Sequence, residues 1–132
     1  MKTRQEHKQD IKVLLKKSGD AGKAIRKYAE DEFRKARDED APTASQGKDM
    51  LHELLLGAED ALREAGFETK IILRDTINAF IFVFGDILDQ TWEALTSYAR
   101  SLRHVIEKTG ELGKEGVDDL EKIIREHDKK PR

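Results

Sequence analysis

The sequence contains no cysteine, so neither a disulfide framework nor a thiolate metal site can organise it. Proline is almost as scarce. Pro42 and Pro131 are the only two, which leaves two long stretches free of the strongest helix breaker. Aromatic residues make up 6% of the chain, and hydrophobic residues 37% against 39% charged. A compact globule carries about a quarter of charged residues, so this balance suits long helices with one buried stripe and wet flanks. Long apolar runs are also missing. The longest, 79–84, is six residues, and a membrane-spanning helix needs about 20. Widening that window takes in Arg74, Asp75 and Asp86, which are costly at bilayer depth. No membrane span is therefore expected. The opening residues, Met1 to His7, lead into no apolar core of a signal peptide. A cytoplasmic setting is expected, with a position peripheral to a granule or membrane surface as its variant.

The same scarcity reaches chemistry. There is no Gly-x-Ser-x-Gly, and no serine stands beside a histidine on a strand-loop scaffold. Gly19 and Gly22 lack the further glycine, the lysine-serine ending and the preceding strand of a phosphate-binding loop. Asp49-Met50-Leu51-His52 and His104-Val105-Ile106-Glu107 each set a carboxylate and an imidazole three residues apart, as half of a di-iron bundle site would. On a helical wheel at about 100° per residue, however, His52 falls on the flank of the apolar stripe and His104 opposite it. No catalytic residue, metal ligand or cofactor site is expected, and the chain is read as a non-enzyme.

What is present is helical periodicity. At 132 residues the chain suffices for one modest domain or a few extended helices. Ile11, Leu14 and Leu15, then Ile25, Tyr28, Ala29, Phe33 and Ala36, recur at helical spacing. Between them Gly19 can end one helix and Asp20 cap the next. Asp38-Glu39-Asp40 and Ala41-Pro42 stop the second helix, and Thr43-Ala44-Ser45-Gln46 has the spacing of a capping box. A third helix then carries Leu51, Leu54, Leu55, Ala58, Ala61, Leu62 and Ala65 on one face, and Gly66-Phe67 predicts its Schellman stop. From Thr69 the pattern resumes towards Ile106, with Gly85-Asp86 either breaking the helix or bending it. Gly110, Gly113 and Gly116 lead to a short last helix over 117–127, with Leu120, Ile123 and Ile124. No stretch alternates as a strand does. The expectation is an all-α fold of four or five amphipathic helices, in a bundle or an elongated helical assembly. Its parts are a basic helical segment over 1–40 with a break near 18–22, a central helical region over 41–110, and a glycine-linked C-terminal helix and basic tail over 111–132.

One regularity runs across these helices. Leu51, Leu62, Leu73, Phe84, Leu95, Ile106 and Val117 fall at intervals of eleven. A helix of 3.6 residues per turn slips about 20° over eleven residues, so a strict eleven-residue stripe implies nearly straight packing or a flat, surface-lying helix. Ordinary amphipathic helices of a bundle satisfy the same ruler over a few turns, and both readings stay open.

Two candidate surfaces emerge. The stretch 77–88 is apolar all round for nearly two turns: Ile77, Phe80, Ile81 and Phe84 share the stripe, and Phe82 lies about 180° away from Leu73 among Asp75, Asp86 and Asp89. With Leu88, and with Trp92 and Tyr98 just beyond, it forms a candidate oligomer or partner patch, the 77–88 helix being expected at the centre of the protein. The second surface is basic. Net charge is −2, but residues 1–37 hold twelve Lys/Arg against six Asp/Glu, whereas 41–132 hold thirteen against eighteen. That polarity favours self-association or docking on an anionic surface through Lys12, Lys16, Lys23, Arg26, Lys27 and Arg34. Asp20, Glu30, Asp31 and Glu32 interrupt the field, and Tyr28 and Phe33 sit on the apolar face, which disfavours nucleic acid.

The texture of Gln90-Thr91-Trp92-Glu93-Ala94-Leu95-Thr96-Ser97-Tyr98-Ala99, with the eleven-residue ladder, resembles phasins, the amphipathic helical proteins that coat polyhydroxyalkanoate granules, and more distantly apolipoprotein-like repeats. The resemblance spans about 45–120 and lies in pattern. It implies a non-enzymatic coat or assembly protein, oligomeric in solution, with a hydrophobic particle or lipid surface as partner. A helical-bundle adaptor for another protein and a basic-arm nucleic-acid binder are the alternatives.

Overall fold

Helix signals in the sequence become helix ends in a computed structural model, which describes residues 1–87, 89–112 and 118. Thr3 opens α1 (Arg4–Lys17) with a capping box to Glu6, and Asp20 opens α2 (Ala21–Lys35) by accepting from the Lys23 amide at 3.1 Å. The last turn of α2 widens into a π-helical turn, Ala36–Asp40, which ends on Ala41 at φ 42°. Thr43 and Gln46 form the expected capping box of α3 (Ala44–Glu64). That helix closes in a full Schellman motif: the Phe67 amide donates to Leu62 O at 2.9 Å and the Gly66 amide to Arg63 O at 3.1 Å. Gly66 sits at φ 79°, where a Cβ would be strained. Then follow α4 (Lys70–Phe84) and α5 (Gln90–Thr109). Gly85 breaks the helix rather than bending it, and Asp89, as N-cap, starts α5 by accepting from the Thr91 amide at 2.7 Å. Among the described residues there is no strand. The all-α bundle is the observed fold.

Side-chain pairs fix the topology. Arg4 meets Asp60 and Lys8 meets Glu64, so α1 runs parallel to α3. Phe33 packs on Phe80 and Phe84, and a Cβ on Gly22 would touch Ile72, so α2 runs parallel to α4. The α1–α2 hairpin thus lies on the α3–α4 hairpin, and α5 packs against α4 and α3 on the far side.

The longest run of buried residues among the described ones lies in α3, while α4, expected at the centre, packs against α2, α3 and α5. Six consecutive residues, Leu54, Leu55, Leu56, Gly57, Ala58 and Glu59, are all buried. Small residues achieve this by letting neighbours approach: a Cβ on Gly57 would lie 2.6 Å from Arg4 O and 2.8 Å from His7 Cβ. Both helices have three packing partners: α1, α4 and α5 for α3, and α2, α3 and α5 for α4. The eleven-residue ladder follows the second of its two readings, the ordinary helices of a bundle. Its first six positions are all buried, but as three pairs on α3, α4 and α5, which are separate helices. It is a rhythm of core positions, not one continuous stripe. Val117, Leu120, Ile123 and Ile124 lie outside the described residues.

Candidate association surface

The aromatic patch expected over 77–98 is divided by the fold. Ile77, Phe80, Phe84, Trp92 and Tyr98 are buried in the chain's own core, and Ile81 is half-buried. The Phe84 and Trp92 rings stack 4.9 Å apart, and the Tyr98 hydroxyl lies 2.7 Å from His52 Nε2. These residues form one cluster, but it faces inwards, because α2, α3 and α5 cover three sides of α4. Leu88 lies outside the described residues. Phe82 is the exception. It is 70% exposed, and the Arg34 guanidinium of α2 stands 5.9 Å from its ring centre.

A residue that the sequence reading passed over completes this surface. Ile71, 54% exposed, lies eleven residues before Phe82 and about 20° from it around the helix. Asp75 and Asn78 fall between them, so the outer face of α4 reads Ile71, Asp75, Asn78, Phe82 at i, i+4, i+7 and i+11. Neighbouring helices tether its rim. Arg103 of α5 donates to Asn78 Oδ1 at 2.8 Å, and Arg37 donates to Val83 O at 3.0 Å, where the carbonyls of the last α4 turn need a donor. The spacing of Ile71 and Phe82 was visible in the sequence, but not that α2 and α5 would leave this strip uncovered.

Some of the basic side chains of the N-terminal segment have partners within the chain. Arg4 binds Asp60 through two nitrogens, at 2.6 and 2.8 Å, and its amide donates to Glu53. Lys8 and Lys12 reach Glu64 at 2.5 and 2.9 Å. Lys12 thus bridges α1 and α3, with its side chain still 35% exposed. Arg34 leans on Phe82 and stands 3.8 Å from Glu30. Lys16, Lys23, Arg26 and Lys27 are exposed. The opposite charges of the N-terminal and later segments meet within one molecule.

A second site was missed altogether. His7 is buried between α1, α2 and α3 although its place, four residues before Ile11, puts it on the apolar stripe of α1. Its Nδ1 is 2.7 Å from the Tyr28 hydroxyl, which donates to Asp10 Oδ2 at 3.2 Å. With the phenolic proton so placed, His7 Nδ1–H donates to the Tyr28 oxygen and Nε2 is left as a buried lone pair without a hydrogen-bond partner. Burial holds the imidazole below its ordinary pKa and pushes the Tyr28 phenol up. A hydrogen bond from Lys2, 2.9 Å away, holds Asp10 below the usual carboxylate range. Lys2 also bridges to Glu32 at 2.8 Å. Beside this cluster, a cavity of about 370 Å³ is lined by residues including Lys2, His7, Glu32 and Met50. Glu59, buried in α3, accepts from the Leu112 amide at 2.6 Å and ties the chain after α5 to the central helix. Its partner lies 53 residues away, so sequence spacing could not show it.

No group of three or more His, Asp or Glu residues converges as a metal site among the described residues, and no described helix is long and apolar enough to cross a membrane. Comparison with protein-family models, with characterised proteins and with solved structures finds no match for the chain.

Proposed function

We propose that this chain is a non-enzymatic helical assembly module that acts through the outer face of α4. The observation that carries the reading is Phe82, a phenyl ring 70% exposed in a bundle whose other α4 aromatics are buried. Aromatic residues, phenylalanine among them, and arginine are both enriched at protein interfaces. The reading keeps the surface-associating role implied by the phasin-like texture but moves its contact. A coat formed by the whole 77–98 aromatic set would have to open the bundle and expose Phe80, Phe84 and Trp92. Association through Ile71 and Phe82 leaves the core closed. The intramolecular pairing of Arg4, Lys8 and Lys12 also favours this face over an anionic surface as the point of contact.

The test compares the parent chain with Phe82→Asp, by light scattering after size exclusion and by sedimentation with hydrophobic polymer particles. The parent should show a mass above 15.1 kDa or sediment with the particles. The variant should lose that behaviour while keeping its helical circular dichroism. A parent that is a 15.1 kDa monomer indifferent to particles contradicts the reading, as does a variant that behaves like the parent.

A further inference from the structure

The outer face of α4 has a property that isolated exposed residues lack: its pattern is the same read in either direction. Ile71, Asp75, Asn78 and Phe82 run apolar, polar, polar, apolar, and the two apolar ends are about 16 Å apart along the axis at 1.5 Å per residue. We infer that this face pairs with the same face of a second copy, with the two α4 helices antiparallel. The inference rests on the reading that α4 is the association surface and names the partner for it.

Antiparallel pairing about a two-fold axis near Thr76 and Ile77 sets Ile71 of one copy against Phe82 of the other at both ends. Asp75 then stands opposite Asn78, again twice. A closed two-fold contact requires such self-complementarity, because each residue pair must occur in both directions. The polar pairs also have free valences of the right kind. Arg103 occupies Asn78 Oδ1 at 2.8 Å, which turns the amide NH2 outwards as a donor. Among the described residues the Asp75 carboxylate has one cation within salt-bridge distance, Arg74 Nε at 3.9 Å, too long for a hydrogen bond. A donor therefore faces an acceptor across the axis. Parallel pairing would instead stack Asp75 on Asp75, which like charges oppose. The spacing of eleven between Ile71 and Phe82 suits nearly straight contact, since positions eleven apart stay within about 20° of one another. One helix pair falls short of the ~1,200–2,000 Å² of stable complexes, so the pair is a reversible one whose mass rises with concentration.

The test is photo-crosslinking with benzoylphenylalanine in place of Phe82, which keeps an aromatic ring at that position. A cross-linked product of twice 15.1 kDa should form on irradiation, and its yield should grow with protein concentration. The partner site should map to residues 71–74. Adding Ile71→Asp should cut the yield by about tenfold or more. A cross-link mapping to the partner's Phe82 region instead would overturn the antiparallel geometry while leaving α4 as the association face. Failure to form any dimeric product, with a mass fixed at 15.1 kDa at all concentrations, would remove the second copy as partner. In that case, loss of particle sedimentation in Phe82→Asp would still distinguish a surviving α4 surface from none.

Discussion

The seam between α1 and α3 and the seam between α2 and α4 solve the same packing problem with opposite materials. On the α2–α4 side the contact is apolar and aromatic: Ile25, Phe33, Ile77, Phe80 and Phe84 are buried, and the Phe33 and Phe80 ring centres stand 5.2 Å apart, edge to face. On the α1–α3 side the backbones approach over Gly57, and the flanks are held by Arg4–Asp60, Lys8–Glu64 and Lys12–Glu64. The apolar seam holds by volume and burial. The charged seam holds by fit, with a buried neutral histidine at its base. Three basic side chains of α1 are thus paired with α3 while Lys16, Lys23, Arg26 and Lys27 stay exposed, and the most exposed aromatic ring among the described residues, Phe82, lies on α4.

The comparison breaks most visibly in the aromatic seam. Phe80→Ala removes a fully buried ring shared with Phe33 and Phe84, and should destabilise by about 3–5 kcal/mol. Chemical denaturation would read this as a lowered midpoint at unchanged slope. Gly57→Val should cost roughly 1–3 kcal/mol through overpacking rather than lost burial, because a side chain there meets Arg4 O and His7 Cβ. Its effect should concentrate on α1, visible as faster amide exchange in 4–17 than in α4. Acid sharpens the comparison further. His7 has a folded-state pKa below 6.5, so as pH falls under 6.5 the unfolded chain takes up a proton that the folded chain refuses. Stability should therefore be insensitive to this group above pH 6.5, and decline below it until the folded-state pKa is reached. His7→Phe should flatten that part of the stability–pH curve. Asp10, held low by Lys2, adds a separate loss at lower pH, as the pH drops from about its ordinary 3.8 through its folded value. Smallest of all, Phe82→Asp should change the unfolding free energy by no more than about 0.5 kcal/mol, as expected for an exposed site.

Much of this fold could be read from local chemistry. Asp20, Thr43 with Gln46, and Gly66 with Phe67 mark helix ends whose signals depend on neighbours within a few residues, and the structure uses each one. The second break, at Gly85, was ambiguous because a glycine alone does not decide it. The Asp89 cap settles it, and it lay within the same short stretch. What escaped was global. Which helix faces meet across the bundle is not a local property, and Gly57 matters only once Arg4 and His7 press on it. The aromatic residues of 77–98 stand out in the sequence as one candidate patch, but apolar character does not say whether such a patch faces in or out. Helical phase did separate Phe82 from Phe80 and Phe84, and burial divides them the same way. The tie from Glu59 to Leu112 and the ion pairs between α1 and α3 join residues some 50 apart, beyond any periodic signal.

The central claim is that the outer face of α4 works as a contact surface while the rest of the bundle stays closed. It is tested most directly by following side-chain nuclear magnetic resonance signals as protein concentration is raised. The account predicts shifts confined to Ile71, Asn78, Phe82 and their immediate rim, with Phe80, Phe84 and Trp92 unmoved. Shifts centred on Lys16, Lys23, Arg26 and Lys27, or none at any concentration, would contradict it.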